Sequence, residues 1–216
     1  MLFNSLVILL AFLPAVIAAS LVARYWRGNN GVLVSLAVAS VLFVGYKGLV
    51  DAGLLLASVV INFAAAQLLL RYQATQRVQT GVFVLAIAFN IALLAVVKIP
   101  ALGFVTGYYD NETTIRAGIA YGLPIAISFY TFQQITFLSD VKSGRISGID
   151  KSRYAAYVTF FPQLIAGPIV RWRDVSSQLD RVSSRLFEDR NVVIGLSMIA
   201  LGLGRKSCWL IRSGKW

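Results

Sequence analysis

The sequence contains no histidine and one cysteine, Cys208. Without an imidazole the chain holds no Ser-His-Asp or Cys-His arrangement, and a zinc site loses one of its main ligands. A single thiol makes no intrachain disulfide and no thiolate metal cluster. Charge is scarce as well. Only 13% of the 216 residues are Asp, Glu, Lys or Arg, about half the share in a soluble domain. Carboxylates are the scarcest charged class, 9 against 20 Lys and Arg, which gives a net charge of +11. No carboxylate pair falls inside an apolar stretch, so a proton relay is not indicated. The basic residues are scattered over many short polar stretches. That pattern argues against a nucleic-acid partner and fits the cytoplasmic loops of a membrane protein.

Hydrophobic residues make up 58% of the chain, and the mean hydropathy is +0.74. About 20 mainly apolar residues cross a bilayer core as a helix. Five stretches qualify or nearly so: Leu2 to Ala23, Gly31 to Tyr46, Leu49 to Leu70, Gly81 to Val97, and Ala117 to Leu138 with Pro124 inside it. Tyr25, Trp26, Tyr46, Tyr72 and Tyr121 fall at their ends, where interfacial aromatics belong. The first stretch lacks the basic residues that precede a signal peptide, so it is read as a span. The composition predicts an all-α polytopic membrane protein.

Alternate loops differ in charge. With the N-terminus outside, the inner loops carry Arg24, Arg27, Arg71, Arg77, Lys142, Arg145, Lys151 and Arg153, and the outer loops carry Lys47, Lys98 and Arg116. Eight against three places the N-terminus on the periplasmic or extracellular side. The segment "YVTFFPQLIAGPIVRWRD", Tyr157 to Asp174, tests this orientation. If residues 154–170 crossed the bilayer, Arg171, Arg173, Arg181, Arg185 and Arg190 would all move outside. Pro162, Gly167 and Pro168 also interrupt a regular helix. Irregular backbone at membrane depth is tolerated only where protein covers it or it lines a wet cavity. The segment is therefore expected to dip in and return, with a kinked spanning helix as the alternative. "RWRDVSSQLDRVSSRLFEDR" then reads as an amphipathic surface helix, and Asn191 to Gly204 starts an apolar helix too short to span.

In the fifth span, Ser128, Thr131 and Gln134 recur every three residues and share a broad face, with Gln133 adding a second amide. Polar residues in a membrane helix either bond a neighbouring helix or line a substrate path. Asn62, Gln67 and Asn90 read the same way. Arg171, Arg173 and Asp174 offer a phosphate or carboxylate fork, a lipid-headgroup contact, or an internal ion pair. "GLGRKS" is not a phosphate-binding loop, because its lysine does not follow the glycine directly and no strand precedes it. These residues suit a lipid-linked or acyl-transfer enzyme, or a transporter.

"LPIAISFYTFQQITFLSDVKSG" followed by "YVTFFPQLIAGPIVRWRDVSSQL" resembles the membrane-bound O-acyltransferase family, in particular its bacterial alginate O-acetyltransferase branch. The resemblance implies a many-helix membrane bundle with a tunnel. It also implies an acyl donor on the cytoplasmic side, acetyl-CoA or another acyl carrier, and no bound cofactor. The acceptor would be an exported polysaccharide such as alginate, reached with periplasmic polysaccharide acetylation proteins as partners in a bacterial inner membrane. Thr131, Phe132 and Gln133 match the family's "TFQ". Phe161, Pro162, Gln163, Gly167, Pro168 and Arg171 match its "FFPQ…GP..R" motif and would shape the tunnel wall or its mouth. The family's catalytic histidine has no counterpart here. Residues 1–204 therefore read as the N-terminal part of the family's membrane domain. Residues 205–216, "RKSCWLIRSGKW", read as a non-family tail left by a shifted frame or a sequencing error, and the chain alone is expected to be inactive. The competing readings are a flippase or transporter of a lipid-linked substrate and a non-catalytic membrane remnant.

Overall fold

The computed structural model describes residues 8–98, 126–167, 170–182, 190, 191, 193–195, 197, 198, 201 and 202. Among these residues every regular element is a helix. A π-helical turn, Ile8–Phe12, leads into α1 (Leu13–Lys47). It is followed by α2 (Leu49–Arg71), α3 (Gln76–Lys98), α4 (Ile127–Lys142), α5 (Lys151–Thr159), α6 (Phe161–Ala166) and α7 (Trp172–Asp180). The wide turn precedes Pro14, whose missing N–H and bulky ring disfavour regular i→i−4 bonding there.

Among the described residues, three helical stretches are long and apolar enough to cross a membrane: Leu10–Tyr46, Leu49–Arg71 and Gln76–Lys98. The first is not straight. In a continuous helix Ser20 and Ser35 would lie about 22 Å apart, yet their hydroxyls are 2.9 Å apart. The Phe12 and Phe43 rings are 5.5 Å apart. Gly28, at φ 59° and ψ −136°, folds α1 into a hairpin of two antiparallel arms, 13–27 and 29–47. That conformation is nearly closed to residues with a side chain. The first two predicted spans are thus the two arms, joined with almost no loop, and Arg24 and Arg27 lie on the end of the first arm rather than in a loop.

The remaining boundaries need smaller corrections. α3 starts five residues before the predicted Gly81, so Arg77 sits in its first turn. α4 runs four residues past the predicted Leu138 and buries Asp140, which pairs with Arg145 at 2.8 Å. Residues 99–125, including Arg116, Tyr121 and Pro124, lie outside the described residues, as do Arg185, Gly204 and the 205–216 tail. The surface helix is described as α7, which buries Trp172 and exposes its charged residues.

α2 is the centre of the bundle and packs against α1, α3, α4 and α5. Its buried positions Ala52, Leu55, Val59, Asn62, Ala66 and Leu69 alternate steps of three and four, which puts them on one stripe. Small residues on that stripe let neighbouring backbones approach closely. The Lys142 ammonium lies 4.5 Å from the centre of the Phe83 ring, tying the end of α4 to the start of α3.

The segment that raised the topology question enters the bundle and comes back. α5 ends at Thr159, Phe160 breaks the helix at φ −50° and ψ 103°, and α6 lasts only six residues. The Phe161 N–H donates to Ser40 Oγ at 3.1 Å. Ser40 lies about 18 Å along the second arm from Gly28. The chain then returns to the Gly28 end. The Asp180 carboxylate pairs with Arg153 at the start of α5 at 2.7 Å, and Asn29 Nδ2 donates to the Leu179 carbonyl at 3.0 Å. This is the dip and return, and the kinked spanning helix is set aside. Arg27, Arg77, Lys142, Arg153 and Arg181 share this end of the bundle, while Lys47 and Lys98 sit at helix ends on the other.

A Cβ on Gly31 would overlap the Ala23 carbonyl across the hairpin. Gly31→Val is therefore expected to lower the stability of the folded chain by about 1–3 kcal/mol, as overpacking does. Gly53, an exposed helical glycine with open space around it, should tolerate Gly53→Ala without loss. Denaturation in mixed micelles followed by circular dichroism measures both. Equal effects at the two positions would mean that the arms do not pack as described.

Candidate functional site

A line of polar side chains runs through the apolar core at the level of the α4 motif. Asn90 on α3 and Asn62 on α2 exchange amide hydrogen bonds, Asn90 Nδ2 to Asn62 Oδ1 at 2.6 Å and Asn62 Nδ2 to Asn90 Oδ1 at 3.2 Å. Each amide also donates to the carbonyl four residues earlier, Ala86 and Ser58. Asn62 Nδ2 lies 3.4 Å from Ser58 Oγ. Ser58 in turn donates to Gln134 Oε1 on α4 at 2.9 Å. All four side chains are buried. Of the polar residues singled out from the sequence, Asn62, Asn90 and Gln134 are joined in this line, Ser128 is half-buried, and Gln67 points away to the exposed side of α2.

Gln133 faces a different neighbour. Its Nε2 donates to the Tyr157 carbonyl in the last turn of α5 at 3.0 Å. The Tyr157 hydroxyl donates to the Val170 carbonyl at 2.9 Å, so Tyr157 links the inbound and outbound limbs of the re-entrant segment. Its ring meets Trp172 edge-on at 5.2 Å and lies 6.1 Å from Phe137, which also contacts Tyr154 at 4.9 Å. Edge-to-face aromatic contacts of this kind add to area burial. Tyr154 and Tyr157 carry much of this core and no spacing rule singles them out, because the residues they meet are far away in sequence.

The remaining motif residues divide into buried and exposed sets. Thr131 is buried beside Gln133, and Phe132 is half exposed on the other side of α4. Phe161 is buried in a ring cluster with Phe12 and Phe43, at 5.4 and 5.3 Å. Pro162 stands in the first turn of α6, where a missing N–H costs nothing. Gly167 has ordinary extended backbone, but a Cβ there would come 2.8–3.0 Å from Gln163 atoms, so the exit from α6 has no room for one. Gln163 is half-buried at that exit. Pro168 lies outside the described residues. Arg171 is exposed at the N-cap of α7 and makes no ion pair among the described residues, whereas Arg173 and Asp174 form an exposed pair at 3.5 Å.

Four buried polar atoms lack a hydrogen-bond partner among the described residues: Tyr130 Oη, Thr131 Oγ1, Gln134 Nε2 and Tyr154 Oη. Three of the four belong to α4. Unpaired buried polar groups are costly, so their concentration beside the motif marks where a polar guest or water is wanted. No group of three His, Cys, Asp or Glu side chains arranged to hold a metal exists among the described residues. The arrangement can orient a polar ligand and hold irregular backbone at depth, but it contains no general base.

No family model matches the chain, and no solved structure matches it. Curated proteins do. The chain is 27% identical to the peptidoglycan O-acetyltransferase of Helicobacter pylori over 95% of its own length and 44% of that protein's. It is 31% identical to the probable alginate O-acetylase AlgI of Azotobacter vinelandii over 83% of this chain and 36% of the relative. A teichoic acid D-alanyltransferase of Lacticaseibacillus rhamnosus is 28% identical over 59% of the chain and 29% of the relative. The chain thus spans less than half the length of these relatives.

The amide pair between α2 and α3 gives a test of the polar line. Asn62→Leu removes the cross-helix partner of Asn90, leaving it only the bond to the Ala86 carbonyl, and is expected to cost about 1 kcal/mol, in the range of interhelical hydrogen bonds in membranes. Asn62→Leu with Asn90→Leu should cost little more than either single change, giving a coupling of about 0.5–1.5 kcal/mol in a double-mutant cycle. Additive losses would mean that the two amides act independently. Together the helical bundle, with described helices long and apolar enough to cross a membrane, and the curated relatives make this chain a membrane protein that is similar over most of its length to peptidoglycan and alginate O-acetyltransferases.

Proposed function

We propose that this chain forms part of a bacterial inner-membrane enzyme that transfers an acyl group to a hydroxyl of an exported cell-envelope polymer. An acetyl group is the simplest acyl group, a cytoplasmic acetyl-CoA or other acyl carrier the donor, and an acidic exopolysaccharide such as alginate or the peptidoglycan glycan the acceptor. The acceptor oxygen attacks the thioester carbon, the carrier thiolate leaves, and the acceptor proton passes to a base. The observation that carries this reading is the break in the helix at Phe160, between α5 and α6. It lies at the family motif, is held at depth by Gln133 and Ser40, and sits beside unpaired polar atoms. Irregular backbone at depth is what a substrate passage needs and a closed helix bundle does not. Membrane lipid surrounds the bundle, and periplasmic polysaccharide acetylation proteins assist as partners in bringing the acyl group to the polymer. The cationic end of the bundle, with Arg27, Arg77, Lys142 and Arg153, faces the cytoplasm.

These 216 residues contain no histidine, so they supply the scaffold and passage wall and not an imidazole base. The chain by itself in proteoliposomes is expected to transfer no label from radiolabelled acetyl-CoA to polymer. The functional test is a chimera in which residues 126–182 replace the matching segment of the Azotobacter relative. A membrane-inserted chimera should acetylate alginate, and Gln133→Leu within it should lower transfer roughly tenfold or more by displacing the α5 end. A chimera that inserts and folds yet leaves the polymer unlabelled would overturn the proposal. One that moves a lipid-linked substrate without chemical change would favour a transporter.

Orientation has a separate test. In a Cys208→Ser background, an impermeant maleimide added outside should label Lys98→Cys and spare Arg77→Cys. The reverse pattern would put the cationic end outside.

A further inference from the structure

The two arms of α1 enclose an open apolar groove of about 780 Å³ on one side of the hairpin. Small residues, Ala15, Ala19 and Gly31, lie along it, and the exposed side chains Val22, Val38 and Leu42 are among its lining residues. The volume lies in the range of sites that take small organic ligands, about 300–1,000 Å³. From Phe12 to Arg27 it follows the first arm for about 22 Å, longer than the roughly 15 Å of one leaflet's hydrocarbon. Its interior asks for no polar guest. Ser35 Oγ donates to the Val32 carbonyl at 2.8 Å and meets Ser20 Oγ at 2.9 Å, so the one hydroxyl lining the groove is already bonded.

The Gly28 end of the groove has a different chemistry. Arg27 and Trp26 belong to the lining there, both exposed, with Trp26 at 80% of its full area. Arg27 has no ion pair among the described residues. A tryptophan and an arginine at this level fit a headgroup layer, and a guanidinium forks onto a phosphate. A long apolar slot closed at one end by an unpaired cation matches one kind of molecule. We propose that the α1 groove binds one anionic phospholipid, with an acyl chain between the arms and the phosphodiester on Arg27. The groove borders the re-entrant segment at Phe12, whose ring lies 5.4 Å from that of Phe161, and the proposal does not depend on the acyl-transfer reading.

Native mass spectrometry of the full chain, released from micelles carrying equal phosphatidylglycerol and phosphatidylcholine, tests it. The expected result is one retained lipid per chain, with phosphatidylglycerol preferred roughly tenfold, because both lipids carry the phosphodiester but only phosphatidylcholine adds a quaternary ammonium that Arg27 repels. Arg27→Gln should abolish the preference while chains of either type remain. Ala19→Phe, on an exposed position inside the groove, should remove both adducts with helicity unchanged by circular dichroism. Arg71→Gln, at the same end of the bundle and outside the groove, should leave the preference as it was. Loss of preference in Arg71→Gln, adducts that survive Ala19→Phe, or a two-chain mass in place of the lipid would each overturn the proposal.

Discussion

The structure depends on keeping backbone polar groups bonded where a helix is broken inside an apolar bundle. Each helix end leaves N–H or C=O groups without an intrahelical partner, and no water is at hand to serve them at membrane depth. The break at Phe160 meets this demand with side chains from elsewhere. The Phe161 N–H goes to Ser40 on the hairpin, the Tyr157 carbonyl takes the Gln133 amide from α4, and the Val170 carbonyl takes the Tyr157 hydroxyl. Pro162 removes one donor outright. Three otherwise unrelated sequence features, a serine in the second span, a glutamine in the fifth and a tyrosine before the break, serve one structural purpose.

The same constraint explains which parts of the fold were legible in the sequence. Span positions follow from apolar length, and α2 and α3 appear where the pattern puts them. The cationic end of the bundle follows from charge asymmetry, as does the return of residues 157–174 to the side they came from. Helix ends were harder to place. α4 buries Asp140 in its last turn, and nothing in local hydropathy says that Arg145 neutralises it after a tight turn at Gly144. The fold-back at Gly28 was expected as a loop and is a single glycine in a conformation other residues rarely adopt.

The candidate site was half legible. A spacing of three marked Ser128, Thr131 and Gln134 as one face, and Gln134 does reach Ser58. Gln133 lies about 100° away from Gln134 on the helix, so face arguments alone would separate them, and only the family resemblance put Gln133 in the motif. Tyr154 and Tyr157 were invisible for a different reason. Their importance comes from Phe63, Phe137 and Trp172, which meet them only after the chain has doubled back.

What the arrangement lacks is as informative as what it contains. Apart from Asp140, the buried polar side chains described on α4 and α5 are amides and hydroxyls, which donate and accept but do not take a proton from an alcohol at neutral pH. Asp140 is already engaged by Arg145 and sits at the end of its helix, away from Ser58 and Asn62. The passage proposed above would call for such neutral groups. Neutral hydrogen-bonding groups guide a polar substrate without binding it as tightly as a fixed charge, whereas an unpaired charge at that depth would be expensive in the empty state. The described cations are correspondingly kept to helix ends, with Arg27, Arg77, Lys142, Arg153 and Arg181 at the Gly28 end and Lys98 at the other, outside the apolar interior.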